Sequence, residues 1–401
     1  MVKFCIFDLM IHRSVTTNAV YLLKNFPSLA ILGARQVGKT TLSKSISAAL
    51  KKPYIYFDLE NDKDLFRFEL DAQGLLEQHS DKLVVIDEIQ RLPRLFALLR
   101  SLIDQKRKPG RFLLLGSASP VLLHGVTESL AGRISYIDLG PLSWSEIAAK
   151  KIPQNRHWFR GGYPKALLAK TDKLALQWLN DYIKSYVQRD LSQIYSVQFP
   201  AGLVQSFWQM LASSNGAVWN AESYARALGV SAPTVVKYLN FLEGAFLIYR
   251  LDPWFFNAKK RVIKSPKIYI SDTGILHALN HINSWNELNR NVIIGSSWEA
   301  YAIQQIRQEI NKNIRLFFYR TQNGAECDLV FVKQNKPIAI CEIKLSETPS
   351  VTRGFYECLS DLKCDKNFVI TSGNNLIKDK KKKITYCGLT HFLEKILPTI
   401  K

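Results

Sequence analysis

Gly33-Ala34-Arg35-Gln36-Val37-Gly38-Lys39-Thr40 limits the fold more than any other stretch of this chain. It fits G-x-x-x-x-G-K-[ST] without a mismatch, between an apolar run at 29–32 and a helical pattern at 40–50. The glycines let the loop wrap with its amide N–H groups pointing inward. Those amides and the N-terminus of the following helix hold phosphate oxygens. In this pattern Lys39 reaches the β- and γ-phosphates and the Thr40 hydroxyl ligates Mg2+. Thr41 completes the candidate nucleotide-binding set. Further candidate strands lie at 54–58, 83–87, 112–115 and 134–139, with helical patterns between most of them. Nearly continuous apolar strands alternating with helices predict an α/β fold with a parallel sheet covered on both faces.

Leu83-Val84-Val85-Ile86-Asp87-Glu88 complements the loop. An apolar strand ending in Asp87 supplies the carboxylate that supports Mg2+. Glu88 follows directly, where a carboxylate polarises the attacking water as a general base. The candidate strand at 54–58 falls between the two motifs, an order that predicts the additional-strand class of P-loop NTPases. Ser117 follows the strand at 112–115, where a polar sensor of the γ-phosphate would sit. Arg133, in Ser129-Leu130-Ala131-Gly132-Arg133, answers phosphate charge as an arginine finger, in cis or from a neighbouring copy, or else forms a surface salt bridge. No N-K-x-D guanine motif is present in this part, so ATP is preferred to GTP.

Length and charge bound the rest. At 401 residues the chain has room for two to three domains of about 150 residues. Hydrophobic residues at 47% and charged residues at 22% exclude wholesale disorder. Lys+Arg exceeds Asp+Glu by 54 to 34, and the resulting +20 favours an anionic partner, DNA among them. The six cysteines include no C-x-x-C pair, which fits a reducing compartment and argues against a zinc knuckle. No apolar run approaches the roughly 20 residues that cross a bilayer. These features predict a cytoplasmic protein with no membrane partner. Asp8 interrupts the apolar start, which makes a poor signal peptide, and Met10 is a candidate initiator.

From about 156 to 210 the pattern is helical, and Trp178, Tyr182 and Tyr186 recur at the spacing of one buried helix face. From Val218 to Trp254 the reading is a winged helix-turn-helix: a helix at 221–228, a turn at Gly229, a helix capped by Ser231 and running to Glu243, then a strand at 246–251. Lys237 is the lone cation of the second helix. Lys259, Lys260, Arg261, Lys264 and Lys267 lie in the wing region, so phosphate contact by the wing is favoured over base reading by the helix.

The last hundred residues read as a helix at 296–309, strands at 316–320, 327–332 and 337–345, a helix at 352–362, a strand at 367–371 and a terminal helix. Residues 378–383, KDKKKK, read as a solvated loop. On one strand Glu342 and Lys344 share a face, and Asp328 faces them from the preceding strand. Two carboxylates and a lysine in this arrangement suit metal-dependent phosphodiester hydrolysis. The carboxylates hold Mg2+, and the lysine steadies the hydroxide or the developing charge. Glu299 adds a ligand or supports one. The alternative is a set of solvated strand ends.

GARQVGKTTL, VVIDEIQRLP, RFLLLGSASP and ESLAGR, with WFRGGYPKALL, KSPKIYISDTGIL and YRTQNGAECDLVF…ICEIKLS further on, resemble a prokaryotic family of AAA+-type ATPases. The likeness runs from about Ile11 to Leu397. It implies ATP binding through Gly33–Thr41, with Asp87 and Glu88 as the Walker B pair. It also implies a winged-helix region and a C-terminal domain of unknown function similar to the PD-(D/E)XK nuclease fold. Asp328, Glu342 and Lys344 fall on the nuclease-like triad. Cys327 replaces the proline of that motif, and Ala34 replaces a proline common in the family's loop. The division expected is 1–150 ATPase, 151–210 helical connector, 211–290 winged helix-turn-helix and 291–401 nuclease-like domain. The function expected is ATP binding and hydrolysis in association with DNA. The alternative is a nucleotide-controlled protein-interaction switch without nuclease activity, with a second copy or another protein as partner. A small-molecule kinase leaves the C-terminal half without a role.

Overall fold

A computed structural model describes residues 11–117, 130, 132–191, 200–255 and 262–400. The candidate start at Met10 and the wing cations Lys259, Lys260 and Arg261 lie outside the described residues. The chain divides into two compact units: residues 1–142 with 188–199 and 244–246, and residues 143–187, 200–243 and 247–401. Among the described residues no helix is long and apolar enough to cross a membrane.

The first unit is built on five parallel strands, β1 (Ser28–Leu32), β2 (Tyr54–Asp58), β3 (Leu83–Asp87), β4 (Phe112–Gly116) and β5 (Ile134–Asp138), in the order β2-β3-β4-β1-β5. The three central strands, β1, β3 and β4, are buried along their whole length, as expected where helices cover both faces. The strand that separates β1 from β3 is β4. The strand lying between the two motifs in sequence, β2, pairs outside β3 at the edge. β4 is therefore the strand inserted between the two motif strands, as the additional-strand class requires. The helices Lys39–Leu50, Asp62–Gln78 and Leu95–Gln105 connect the strands. Leu95, Phe96, Leu99, Leu102 and Ile103 pack from the last of these into the core with Val84, Ile86, Phe112 and Leu114. Asn61 caps the helix Asp62–Gln78, its side chain accepting from the amide of Lys63 at 3.0 Å.

In the second unit, the helix Asp172–Ser185 and its continuation carry Trp178, Tyr182 and Tyr186, with successive ring centroids 5.2 Å apart. Tyr182 and Tyr186 are buried, and Trp178 is half-buried. The segments WFRGGYP and SDTG meet. Asp272 accepts from the amides of Gly162 at 2.7 Å and Ile275 at 3.1 Å, and the Thr273 hydroxyl donates to the Trp158 carbonyl at 2.7 Å. A side chain at Gly161, where φ is 72°, would put Cβ 2.0 Å from Asp272 Oδ1, so glycine is required for this approach.

The helices Ala221–Leu228 and Ala232–Gly244 are joined through Gly229, whose left-handed φ of 66° ends the first helix. Asn220 and Ser231 cap the two helices, accepting from the amides of Ser223 and Thr234, each at 3.3 Å. The antiparallel pair β6 (Ile248–Leu251) and β7 (Lys267–Ile270) follows.

The helix Ile294–Glu309 then leads into a six-stranded mixed sheet: β8 (Arg315–Arg320), β9 (Glu326–Lys333), β10 (Lys336–Lys344), β11 (Lys366–Thr371), β12 (Leu376–Asp379) and β13 (Ile384–Gly388), in the order β12-β13-β11-β10-β9-β8. The helix Arg353–Leu362 crosses from β10 to β11, which run parallel. Phe355 and Cys358 from this helix pack on Cys327, Val330 and Ile340. The β12–β13 hairpin was not anticipated. Its turn is residues 380–383 of the lysine-rich segment, which was read as a loop between two late elements, whereas Lys378 and Asp379 belong to β12.

Candidate functional site

The phosphate loop follows β1 directly. Gly33 lies so close to the chain beyond β5 that an added Cβ would come within 2.2 Å of the Leu139 carbonyl oxygen. Gln36 and Gly38 take left-handed φ of 64° and 103°, which turns the loop into the helix Lys39–Leu50. Arg13 holds the loop from outside, donating from Nη1 to the Val37 carbonyl at 2.9 Å and from Nη2 to the Gly140 carbonyl at 2.7 Å.

The Lys39 ammonium is buried. It donates to the carbonyls of Gly33 at 2.8 Å and Ala34 at 3.1 Å, and to the Ser117 hydroxyl at 2.8 Å. Burial pushes it below the ordinary lysine value, against the attraction of Glu88 and Asp87. Ser117 in turn donates to Glu88 Oε1 at 2.8 Å. This link exists because β4 lies between β1 and β3, so the residue after β4 stands between the loop lysine and the acid. Gln90 also donates to Glu88, at Oε2. Glu88 has a left-handed φ of 51°, and its amide donates to Asp87 Oδ1 at 2.9 Å. Asp87 accepts from Thr40 Oγ1 at 2.8 Å and from the Tyr56 hydroxyl at 2.5 Å. Burial pushes the Asp87 carboxyl up, and those hydrogen bonds oppose it. Arg35 pairs with Glu60 beside the loop.

Lys39, Thr40, Asp87, Glu88 and Ser117 therefore come together in the structure. Arg133 does not join them. It stands one residue before β5, and its carbonyl accepts from the Ser28 hydroxyl at 2.8 Å, at the end of β1 opposite the loop. Its guanidinium meets Asp104 through Nε at 2.6 Å and Nη2 at 2.9 Å. The in-cis finger is thus corrected by position: the length of the sheet separates Arg133 from the loop of its own copy. Arg13, Tyr56 and Gln90 were missed. Tyr56 was open to prediction, because it shares one face of β2 with Tyr54 and Asp58.

A second polar cluster occupies the other unit. Asp328 on β9 and Glu342 on β10 are only 6% and 4% exposed. Asp328 Oδ2 accepts from the Ile343 amide at 2.7 Å, and Lys344 Nζ lies 2.6 Å from Glu342 Oε1. Lys267 enters from β7. Its ammonium lies 3.0 Å from Glu326, 3.5 Å from Glu299 and 3.8 Å from Asp328. Tyr269, two residues along β7, donates to Glu299. Burial alone lowers the Lys267 ammonium, but the carboxylates of Glu299, Asp328 and Glu326 outweigh it and hold it well above the ordinary lysine value. Burial, then the charges of Glu342 and Glu299, push Asp328 well up. Burial also raises Glu342, against the pull of Lys344.

Lys267 was read as one of the wing cations favoured for phosphate contact, yet it is 4% exposed and bound by acids. Where Glu299, Asp328 and Glu342 were expected to hold Mg2+, the Lys267 ammonium stands between Glu299 and Asp328, and Glu342 pairs with Lys344. Among the described residues no three His, Cys, Asp or Glu side chains are arranged to hold a metal ion.

Residues 25–148 match the family described as AAA domain, residues 153–286 a domain of unknown function (DUF8612) and residues 294–392 a second one (DUF4143). The uncharacterized protein Rv2008c of Mycobacterium tuberculosis is 37% identical over 356 residues, 88% of this chain and 78% of its own length. The uncharacterized protein Mb2031c of Mycobacterium bovis matches to the same extent. Among solved structures, the Walker-type ATPase PABY2304 of Pyrococcus abyssi is similar over 68% of this chain and 97% of its own, with 16% identity and a TM-score of 0.46. The chain therefore belongs to the same family as the two uncharacterized mycobacterial proteins, with an AAA domain at residues 25–148.

Proposed function

We propose that this protein binds ATP at residues 33–41 and hydrolyses it with Mg2+, in association with DNA. The observation that carries the ATPase reading is the chain Lys39–Ser117–Glu88, in which one hydroxyl ties the loop lysine to the carboxylate beside Asp87. Lys39 would exchange its carbonyl partners for phosphate oxygens. Ser117 would offer its hydroxyl to the γ-phosphate, and Glu88 would accept the proton of the attacking water. Thr40 and Asp87 are hard oxygen donors already in contact, a set that fits Mg2+, and they would hold it. When bound, the ion supplies neutralisation of phosphate charge. Arg133 would serve the loop of a neighbouring copy. Lys39→Ala should abolish hydrolysis, and a Lys39→Ala protein turning over ATP at the wild-type rate would reject the site.

The DNA part rests on the charge of +20 and on reading the two helices at 221–244 with β6 and β7 as a winged helix. The parts 1–150, 151–210, 211–290 and 291–401 are the proposed modules, the last nuclease-like in fold. Affinity for DNA should fall with salt at a slope of roughly −0.9 per phosphate contacted. A flat salt response would remove DNA from the proposal. The position of Lys267 favours a second reading, a nucleotide-controlled protein-interaction switch without nuclease activity. A cleavage time course comparing wild type with Glu342→Ala separates the two, since cleavage lost in the variant would exclude the switch.

A further inference from the structure

The acidic cluster on the six-stranded sheet contains its own cation. Glu299, Glu326, Asp328 and Glu342 gather around two ammonium groups, Lys267 and Lys344. Lys344 reaches Glu342 from the next position on the same face of the same strand. Lys267 comes from β7, a different sheet, and its placement is fixed by the backbone. β7 is paired to β6 along its length, Tyr269 anchors the same face to Glu299, and the Phe318 ring lies 5.5 Å from Nζ. An ammonium held this way has little freedom to swing aside.

A divalent ion bound by carboxylates needs several oxygens within about 2.0–2.6 Å of one point. Here the ground shared by Glu299, Glu326 and Asp328 is taken by Nζ, and their oxygens stand back at 3.0–3.8 Å, at ammonium distances. Nevertheless, one carboxylate oxygen of the cluster is left unsatisfied. Glu342 Oε2 is buried without a hydrogen-bond partner, and Glu342 as a whole is 4% exposed.

We propose that the Lys267 ammonium takes the place of a divalent cation among Glu299, Glu326 and Asp328, beside Glu342. As folded, the protein binds no divalent ion there, and the cluster acts as an ionic latch joining β7 to the six-stranded sheet. Lysine and metal are alternative occupants of one position, so removing the lysine opens a site that the wild-type chain keeps closed. The acid–acid–lysine pattern that resembles a nuclease is then intact in composition and closed in practice.

The test is Mn2+ binding followed by electron paramagnetic resonance on the full chain without nucleotide, comparing wild type, Lys267→Met and Lys267→Gln. Each is also examined with Asp328→Asn, so that binding at this cluster is separated from binding at Thr40 and Asp87. Wild type should show no Asp328-dependent Mn2+ binding. The Lys267 variants should gain one such ion, with affinity raised about 100-fold or more by loss of the neighbouring positive charge. Asp328→Asn should abolish that gain. Asp328-dependent Mn2+ binding by wild type overturns the proposal, even if neither variant folds. A folded Lys267 variant that gains no ion overturns it as well.

Discussion

Two buried lysines stand beside paired carboxylates in this protein, and their surroundings are opposite. Lys39 touches two backbone carbonyls and a hydroxyl, all neutral. Lys267 touches three carboxylates. Burial leaves the first below the ordinary lysine value, whereas the acids hold the second above it. A buried cation with only neutral partners is stabilised further by an arriving anion. A buried cation enclosed by acids already has its counter-charges. Composition does not distinguish the two sites; what separates them is whether the lysine has charge left to offer a ligand.

Replacing each lysine with methionine sharpens the contrast most. Lys39→Met should lower ATP hydrolysis by about 1,000-fold, as for removal of a pre-organised donor, with stability changed by no more than about 1 kcal/mol. Lys267→Met should cost about 3–5 kcal/mol in urea unfolding, because it strands buried carboxylates. Equal losses of stability in the two variants would erase the distinction. Glu88→Gln should lower turnover about 100-fold while ATP still binds, seen as retained nucleotide affinity in a stalled enzyme. Ser117→Ala removes one neutral hydroxyl and should slow hydrolysis about tenfold. A rate unchanged by Ser117→Ala would mean that the bridge between Lys39 and Glu88 is incidental.

The remaining prediction concerns another buried acid. Burial pushes the Asp272 carboxyl up to about 6, against the amides of Gly162, Ile275 and Gly274 that pull it down. The folded chain therefore holds this proton where the unfolded chain, with its carboxyl near 3.8, has released it. The stability from this group rises as pH falls through about 6, is complete below the unfolded value, and is absent well above 6. Asp272→Asn should flatten the stability–pH curve of the second unit between about 4 and 6. A variant with the wild-type slope would show that Asp272 titrates as an ordinary carboxylate.

The phosphate loop was legible because its chemistry is contiguous: the glycines, Lys39 and Thr40 act within a few residues of one another, and Asp87-Glu88 ends an unmistakable apolar strand. Ser117 was found from its place after such a strand. The class implied a strand between β1 and β3, but not which one, since the placing of β4 there is a tertiary choice. The hairpin of β12 and β13 was hidden by exposure. Leu376 and Ile377 lie on an edge strand at 47% and 55% exposed, and lysines surround them. Lys267 was obscured by company, as the last of a run of wing cations. The signal that could have found it was alternation. Lys267 and Tyr269 share one face of a strand whose other residues are apolar, and four successive buried positions leave no room for a solvated ammonium.

The joint between Gly162 and Asp272 also bears on the order in which the molecule can be made. The five-stranded sheet is assembled wholly from residues 28–138, so it can close early on the ribosome, with most of the chain still unsynthesised. The helix Gln154–Arg160 has no such independence. Its Trp158 bonds to Ser297, 139 residues later, and Gly162 waits 110 residues for Asp272. Contacts so far apart in sequence form slowly. The nascent second unit therefore carries exposed tryptophan and tyrosine for the time it takes to translate more than a quarter of the protein, and that interval is when it is most open to a chaperone or to misassembly.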